Sequence, residues 1–212
     1  MKAYNKFKAE YYPEIMKLIE SQRRMFPETK LHGFAHISRC LILTHVLCKL
    51  HGVDEENELK CLIAIGLHDV AREDDGEDLW ESQSGKIARG FCIGHGFDNE
   101  FKNEVYKLIT EKTDVNDLPN TNFVVCHDAD CLDIIRCFGI DRFNPRYFAS
   151  FQNELALRDL LIKDACTLID CTYLDENEYD NSDSLYLMEN NIKTRWSWKF
   201  HTISNIFNLV TN

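Results

Sequence analysis

Residues 62–72 read Leu-Ile-Ala-Ile-Gly-Leu-His-Asp-Val-Ala-Arg, an apolar run that stops on His68-Asp69. Leu59, Leu62, Ile63 and Leu67 recur at helical spacing, so a helix is predicted over 56–71. Its polar pair falls at the end, where two consecutive side chains can meet one point; in mid-helix they diverge. Burying an unpaired carboxylate costs several kcal/mol unless a cation or a partner compensates it. Two further stretches set polar groups in apolar runs: His32-Gly-Phe-Ala-His36-Ile-Ser-Arg39, with imidazoles but no carboxylate, and Val124-Val-Cys-His127-Asp128-Ala-Asp130-Cys-Leu132-Asp133-Ile-Ile-Arg136, with both. A divalent metal neutralises several such groups at once, and imidazole with carboxylate suits Mn, Fe, Co, Ni or Zn. Gly33 favours a loop-to-helix junction, which leaves His36 on a helix and His32 at its mouth. The Asp-x-Asp-x-x-Asp run lacks the glycine and closing glutamate of a calcium loop.

Outward from these stretches the chain reads as helices. Apolar stripes predict them over 8–25, 34–51, 80–93, 98–112, 121–138, 149–172 and 184–210. His51-Gly52 supplies a helix stop with a left-handed glycine. The segments REDDGED, TDVNDLPNTN and DENEYDNSDS read as polar loops. With 9 Gly, 4 Pro and no long alternation, nothing demands a sheet. The expectation is one all-α domain over 1–212, a bundle of about eight helices, with a motif core at about 30–145 and a helical extension at 149–212.

The 212 residues carry 24 Lys plus Arg against 35 Asp plus Glu, a net charge of −11, which disfavours a long nucleic acid as partner. An apolar fraction of 44% with 11% aromatics excludes a disordered chain. No stretch is apolar enough for a membrane span, and the first residues lack an export signal, so a cytoplasmic setting is expected. The 9 cysteines are odd in number, show no Cys-x-x-Cys spacing and lie mostly in apolar runs, so they read as free core residues. The aromatic segment RWSWKF, 195–200, is expected to pack on the domain and is a candidate homodimer contact.

The order of the three motifs resembles the HD-domain superfamily of metal-dependent phosphohydrolases. HGFAHISRC is similar to that family's opening HGxxHxxRV, AIGLHDVAR to its ALLHDIGR, and DADCLDIIR to its closing DADxLDxxR. The resemblance implies an HD-like helical bundle and metal ligands at His36, His68, Asp69 and Asp130, with Asp128 as rival for the last place. It also implies hydrolysis of a small phosphorylated molecule, most simply a nucleotide, by water activated at one divalent metal. Arg is the preferred phosphate partner, and Arg39, Arg72 and Arg136 lie three or six residues from an implied ligand. With His32 they are the expected substrate-binding residues.

Departures from the family pattern shape the remaining expectations. Where many relatives place a proton-transferring glutamate, this chain has Arg72, followed by Glu73, Asp74 and Asp75. Catalytic roles are therefore expected for Asp69, Arg72 and Asp74, with Glu73 and Asp75 as alternatives to Asp74. Binuclear relatives supply two more histidines; here only His95 stands before His127, so a second ion, held by Glu81 or His95, is the lesser expectation. A di-iron oxygenase and a non-catalytic metal-binding or ligand-sensing module are the competing functions.

Overall fold

The computed structural model describes residues 2–22, 30–72, 80–111, 116–141, 144, 148–173 and 178–196. Helix α1 (Ala3–Lys6) runs through a π-helical stretch, Phe7–Tyr11, into α2 (Tyr12–Gln22). A short 3-10 turn, Lys30–His32, then leads into α3 (Phe34–Leu50). There follow α4 (Glu55–Leu67), α5 (Trp80–Gly94), α6 (Asn99–Thr110), α7 (Thr121–Phe138), α8 (Leu155–Tyr173) and α9 (Ser184–Thr194). The described residues contain no strand, in keeping with the all-α expectation. None of their helices is long and apolar enough to cross a membrane.

Helix α3 is the axis of the bundle. Every residue from Phe34 to Cys48 is buried, and α4, α7, α8 and α9 all pack against it. A helix apolar around most of its circumference has to be covered on all sides. The helices that cover it are more one-sided: α6 buries Phe101, Val105 and Ile109 and turns its charged residues outward. One contiguous core links Tyr4, Phe7 and Ile15 near the N-terminus to Leu185 and Ile192 on α9, so helices α8 and α9 contribute to the same core as the motifs.

The helix starts follow their caps. Asp54 accepts a hydrogen bond from the Asn57 N–H at 2.9 Å, Asp98 from the Phe101 N–H at 2.8 Å, and Asn120 from the Asn122 N–H at 2.9 Å. Gly52 (φ +66°) closes α3 in the left-handed conformation expected of it, and Gly139 (φ +71°) closes α7.

The observed boundaries differ at several ends. The first helix starts at Ala3 rather than at 8, and its described part ends at Gln22. Helix α4 ends at Leu67, so His68 to Ala71 form a turn rather than a last helical turn. Helix α8 begins at Leu155, not 149, because 150–153 form a turn in which Phe151 takes a left-handed φ of +55°. The predicted helix over 184–210 is seen as Ser184–Thr194, and most of RWSWKF lies outside the described residues. All nine cysteines are free thiols; seven are buried, Cys166 is half-buried and Cys137 is exposed.

Helices α5 and α6 pack tightly at Gly85. A Cβ there would sit 2.6 Å from Thr110 Cγ2 and 3.0 Å from the Tyr106 ring. Thr110 is β-branched and stiff at χ1, so it yields poorly. Gly85→Ala is expected to destabilise the protein by about 1–3 kcal/mol, read as a lower urea midpoint at unchanged slope.

Candidate functional site

Four of the expected residues converge from separate parts of the chain. His36 comes from the first turn of α3, His68 and Asp69 from the turn after α4, and Asp130 from the middle of α7. His36 Nε2 lies 3.3 Å from His68 Nε2, 3.4 Å from Asp69 Oδ2 and 3.6 Å from Asp130 Oδ1. His68 Nε2 lies 3.3 Å from Asp69 Oδ2 and 3.8 Å from Asp130 Oδ1. His36, His68 and Asp69 are buried, while the Asp130 side chain is 25% exposed and forms the open side.

Hydrogen bonds behind the rings decide which nitrogen faces the cluster. His68 Nδ1–H donates to the Ile65 carbonyl at 2.7 Å, which leaves Nε2 as the inward lone pair. His36 Nδ1–H donates to Asp133 Oδ2 at 2.6 Å, again leaving Nε2 inward. His32 Nδ1–H donates to Asp69 Oδ2 at 2.9 Å, and its ring meets that of His36 edge-on. The other Asp69 oxygen, Oδ1, accepts from Trp80 Nε1–H at 3.1 Å and lies 3.5 Å from Arg72 Nη1. The Arg72 guanidinium in turn stacks 3.9 Å over the Trp80 ring.

The electrostatics follow from these contacts. Burial works to raise the Asp69 carboxyl, but the adjacent His68 ring and the hydrogen bond from His32 outweigh it, so it is held well below the usual carboxylate range. Burial lowers His32 below the ordinary histidine value against the opposing pull of Asp69, which keeps it neutral at pH 7. Burial likewise opposes ionisation of Asp133, yet the guanidiniums of Arg39 and Arg136 and the His36 bond hold it far below the usual range.

Three sets of metal-ligating atoms stand close together among the described residues: His32, His36 and Asp69; His36, His68 and Asp130; and His36, Cys40 and Asp133. The last lies on the Nδ1 side of His36. Burial pushes its Cys40 thiol up to about 11, so the sulfur keeps its proton at neutral pH and is a poor ligand. The first two sets share the inward side of His36. Donor separations of 3.3–3.8 Å there match the edges of a polyhedron with metal–ligand bonds of about 2.1 Å. The two imidazole nitrogens are thus spaced from each other and from each carboxylate as ligands of a divalent ion would be.

Other expected residues sit elsewhere. Asp128 is fully buried and accepts the backbone N–H groups of Ala149 at 2.8 Å and Ser150 at 2.7 Å, with His127 Nδ1 at 2.8 Å. It is tied to the turn before α8, whereas Asp130 faces the cluster. Arg39 is buried, with Nε on Asp133 Oδ1 at 2.5 Å and Nη1 donating to Thr172 Oγ1 at 3.2 Å. Arg136 bonds the same carboxylate. Both guanidiniums, expected on substrate, thus point at Asp133 instead. His95 Nε2 lies 3.1 Å from Glu14, with its ring against Tyr11 and Phe91, and neither it nor Glu81 joins any of the ligand sets. Asp74, with its alternatives Glu73 and Asp75, lies outside the described residues.

Sequence reasoning missed Trp80 and Asp133. Trp80 carried no signal, since it stands 11 positions from Asp69 and outside all three motifs. Asp133 did carry one: it stands one helical turn from Asp130, and Arg39 stands one turn from His36, so the two pairs share helix faces. Trp80→Phe deletes the Asp69 donor and keeps most of the ring. A fall in turnover of about tenfold, one lost hydrogen bond to a charged group, is expected with little change in melting temperature.

The family model of the SidE phosphodiesterase (PDE) domain matches residues 14–173, about three quarters of the chain. The match runs from α2 to the end of α8 and includes every residue of the cluster. The matching model is that of a phosphodiesterase domain and not of the HD-domain superfamily. No curated protein and no solved structure matches the chain.

Proposed function

Because the chain belongs to the SidE phosphodiesterase (PDE) domain family, we propose that it hydrolyses a phosphodiester bond in a small molecule, most simply a nucleotide, at the cluster of His36, His68, Asp69 and Asp130. The observation that carries this reading is the convergence of two imidazole nitrogens and two carboxylates from α3, the turn after α4, and α7. Their motif order is the one that resembles the HD-domain phosphohydrolases.

These four residues would hold one divalent transition metal. Two neutral imidazoles and two carboxylates sum to a charge of −2, which such an ion balances. When bound, the ion supplies Lewis-acid polarisation and charge neutralisation for phosphoryl transfer to water. Two of the ligand sets among the described residues share the inward nitrogen of His36, and the third offers a protonated thiol on the other nitrogen, which supports one centre over the two that an oxygenase would use.

The surrounding side chains divide the other tasks. Asp69 fixes the tautomer of His32, whose neutral ring takes the proton that the attacking water loses. Arg72, stacked on Trp80 beside Asp69, binds a phosphoryl oxygen at the mouth. A phosphodiester carries one negative charge, and a site with Arg39 and Arg136 turned away toward Asp133 suits that charge better than a doubly charged monoester.

The test is a panel of bis(4-nitrophenyl) phosphate, dinucleotides and phosphomonoesters, assayed with each of Mn, Fe, Co, Ni and Zn. Diester cleavage lost on chelation and restored by one equivalent of metal is the expected result. Cleavage that survives complete metal removal contradicts the metal assignment. Bound metal without turnover on any substrate would make the protein a sensing module instead.

A further inference from the structure

Asp133 touches neither the open side of the cluster nor any residue to which the hydrolysis assigns a proton or an oxygen. It is fully buried beneath the His36 ring. Its Oδ2 accepts the His36 Nδ1–H at 2.6 Å, its Oδ1 accepts Arg39 Nε–H at 2.5 Å, and Arg136 donates to it from one turn further along α7. Arg39 is steadied from the far side by Thr172 of α8. The arrangement therefore ties α3, α7 and α8 to one carboxylate directly behind one ring nitrogen.

A carboxylate can only accept a hydrogen bond, so the nitrogen facing it has to carry the proton. In the neutral ring the lone pair is then on Nε2, the atom that meets His68, Asp69 and Asp130. Two buried guanidiniums keep the carboxylate charged and compensate its burial, which one alone would do less completely. The spacing repeats on both helices: His36 with Arg39 on α3, and Asp130 with Asp133 and Arg136 on α7. Each helix thus brings a cluster residue and its support on one face.

We propose that Asp133 is a positioning residue: it locks His36 with Nε2 toward the cluster, and Arg39 and Arg136 serve Asp133 rather than the substrate. The effect on a metal rests on the proposed function; the effect on the imidazole does not. Partners of this kind behind metal-bound histidines typically contribute about 10–100-fold in affinity.

The test combines two measurements. Long-range 1H–15N spectra of the metal-free wild-type protein should show His36 protonated at Nδ1, with that proton protected from exchange, and Asp133→Asn should lose the protection. Competition with a chromophoric chelator should show Asp133→Asn binding Zn about 10–100-fold more weakly than wild type. A wild-type His36 without a proton on Nδ1, or an Asp133→Asn affinity within about twofold of wild type, overturns the inference. Should Asp133→Asn fail to fold, the wild-type spectrum decides alone. Should the wild-type protein bind no metal, the metal reading of the cluster falls while the spectrum still tests Asp133.

Discussion

His68→Ala and Asp69→Ala are each expected to remove bound metal and to lower diesterase turnover by about 10³-fold or more, while far-ultraviolet circular dichroism stays helical. The magnitude follows from the chemistry at stake. Charge stabilisation by a metal is worth several kcal/mol, and about 4 kcal/mol is about 10³-fold in rate. The retained helicity follows from position. Both residues lie in the turn after α4, and the backbone of that helix is complete at Leu67. His68 spends its outer nitrogen on the Ile65 carbonyl, a local bond whose loss leaves the core packing unchanged. Asp69 is the more connected of the two, since it joins His32, His68, Trp80 and Arg72. Its replacement should also release His32 from its fixed tautomer. Metal content by elemental analysis, turnover and circular dichroism on the same preparations check the prediction. Full activity in either variant would remove the cluster from the reaction.

Asp128→Ala and Asp130→Ala, two residues apart, are expected to fail in opposite ways. Asp128 satisfies two backbone N–H groups at the turn before α8 and also meets His127. Removing its carboxylate leaves those donors without their acceptor, at about 1–3 kcal/mol each. A loss of about 3–5 kcal/mol follows, which for a chain of this size lowers the melting temperature by roughly 10 °C. Asp130 lies a quarter exposed on the cluster side. Its alanine variant should melt close to wild type but lose metal and turnover. Differential scanning calorimetry beside a metal titration separates the two, and an exchange of the two phenotypes would reassign the roles.

Much of the helical architecture is legible in the residues themselves, because apolar spacing and caps are local signals. Gly52 announces an end where the structure has it. The start of α8 is not legible in the same way. Its stripe truly begins at Leu157, and the residues before it are held in a turn by Asp128, a partner more than 20 positions earlier. The cluster was readable to the extent that its members fall at helix ends or on buried faces. The choice between Asp128 and Asp130 was not, since both share α7 and only their distant partners differ. Arg39 and Arg136 show the same limit. Their type suits a phosphate, but a buried carboxylate recruits arginine just as well, and proximity in sequence cannot say which anion is met.

The all-round burial of α3 has a consequence for how the protein tolerates change. In a saturation mutagenesis scan, α6 should show tolerance rising and falling with the helical repeat, because half of its circumference meets solvent. Across Phe34 to Cys48 the profile should instead be uniformly intolerant, with no periodic relief. His36 and Arg39 would then stand out from their neighbours only when the scan is scored for chemistry, since abundance alone would rank them with Leu41 and Ile42. For the central helix, fitness maps read without a second phenotype would conceal the residues of the proposed site inside the scaffold that carries them.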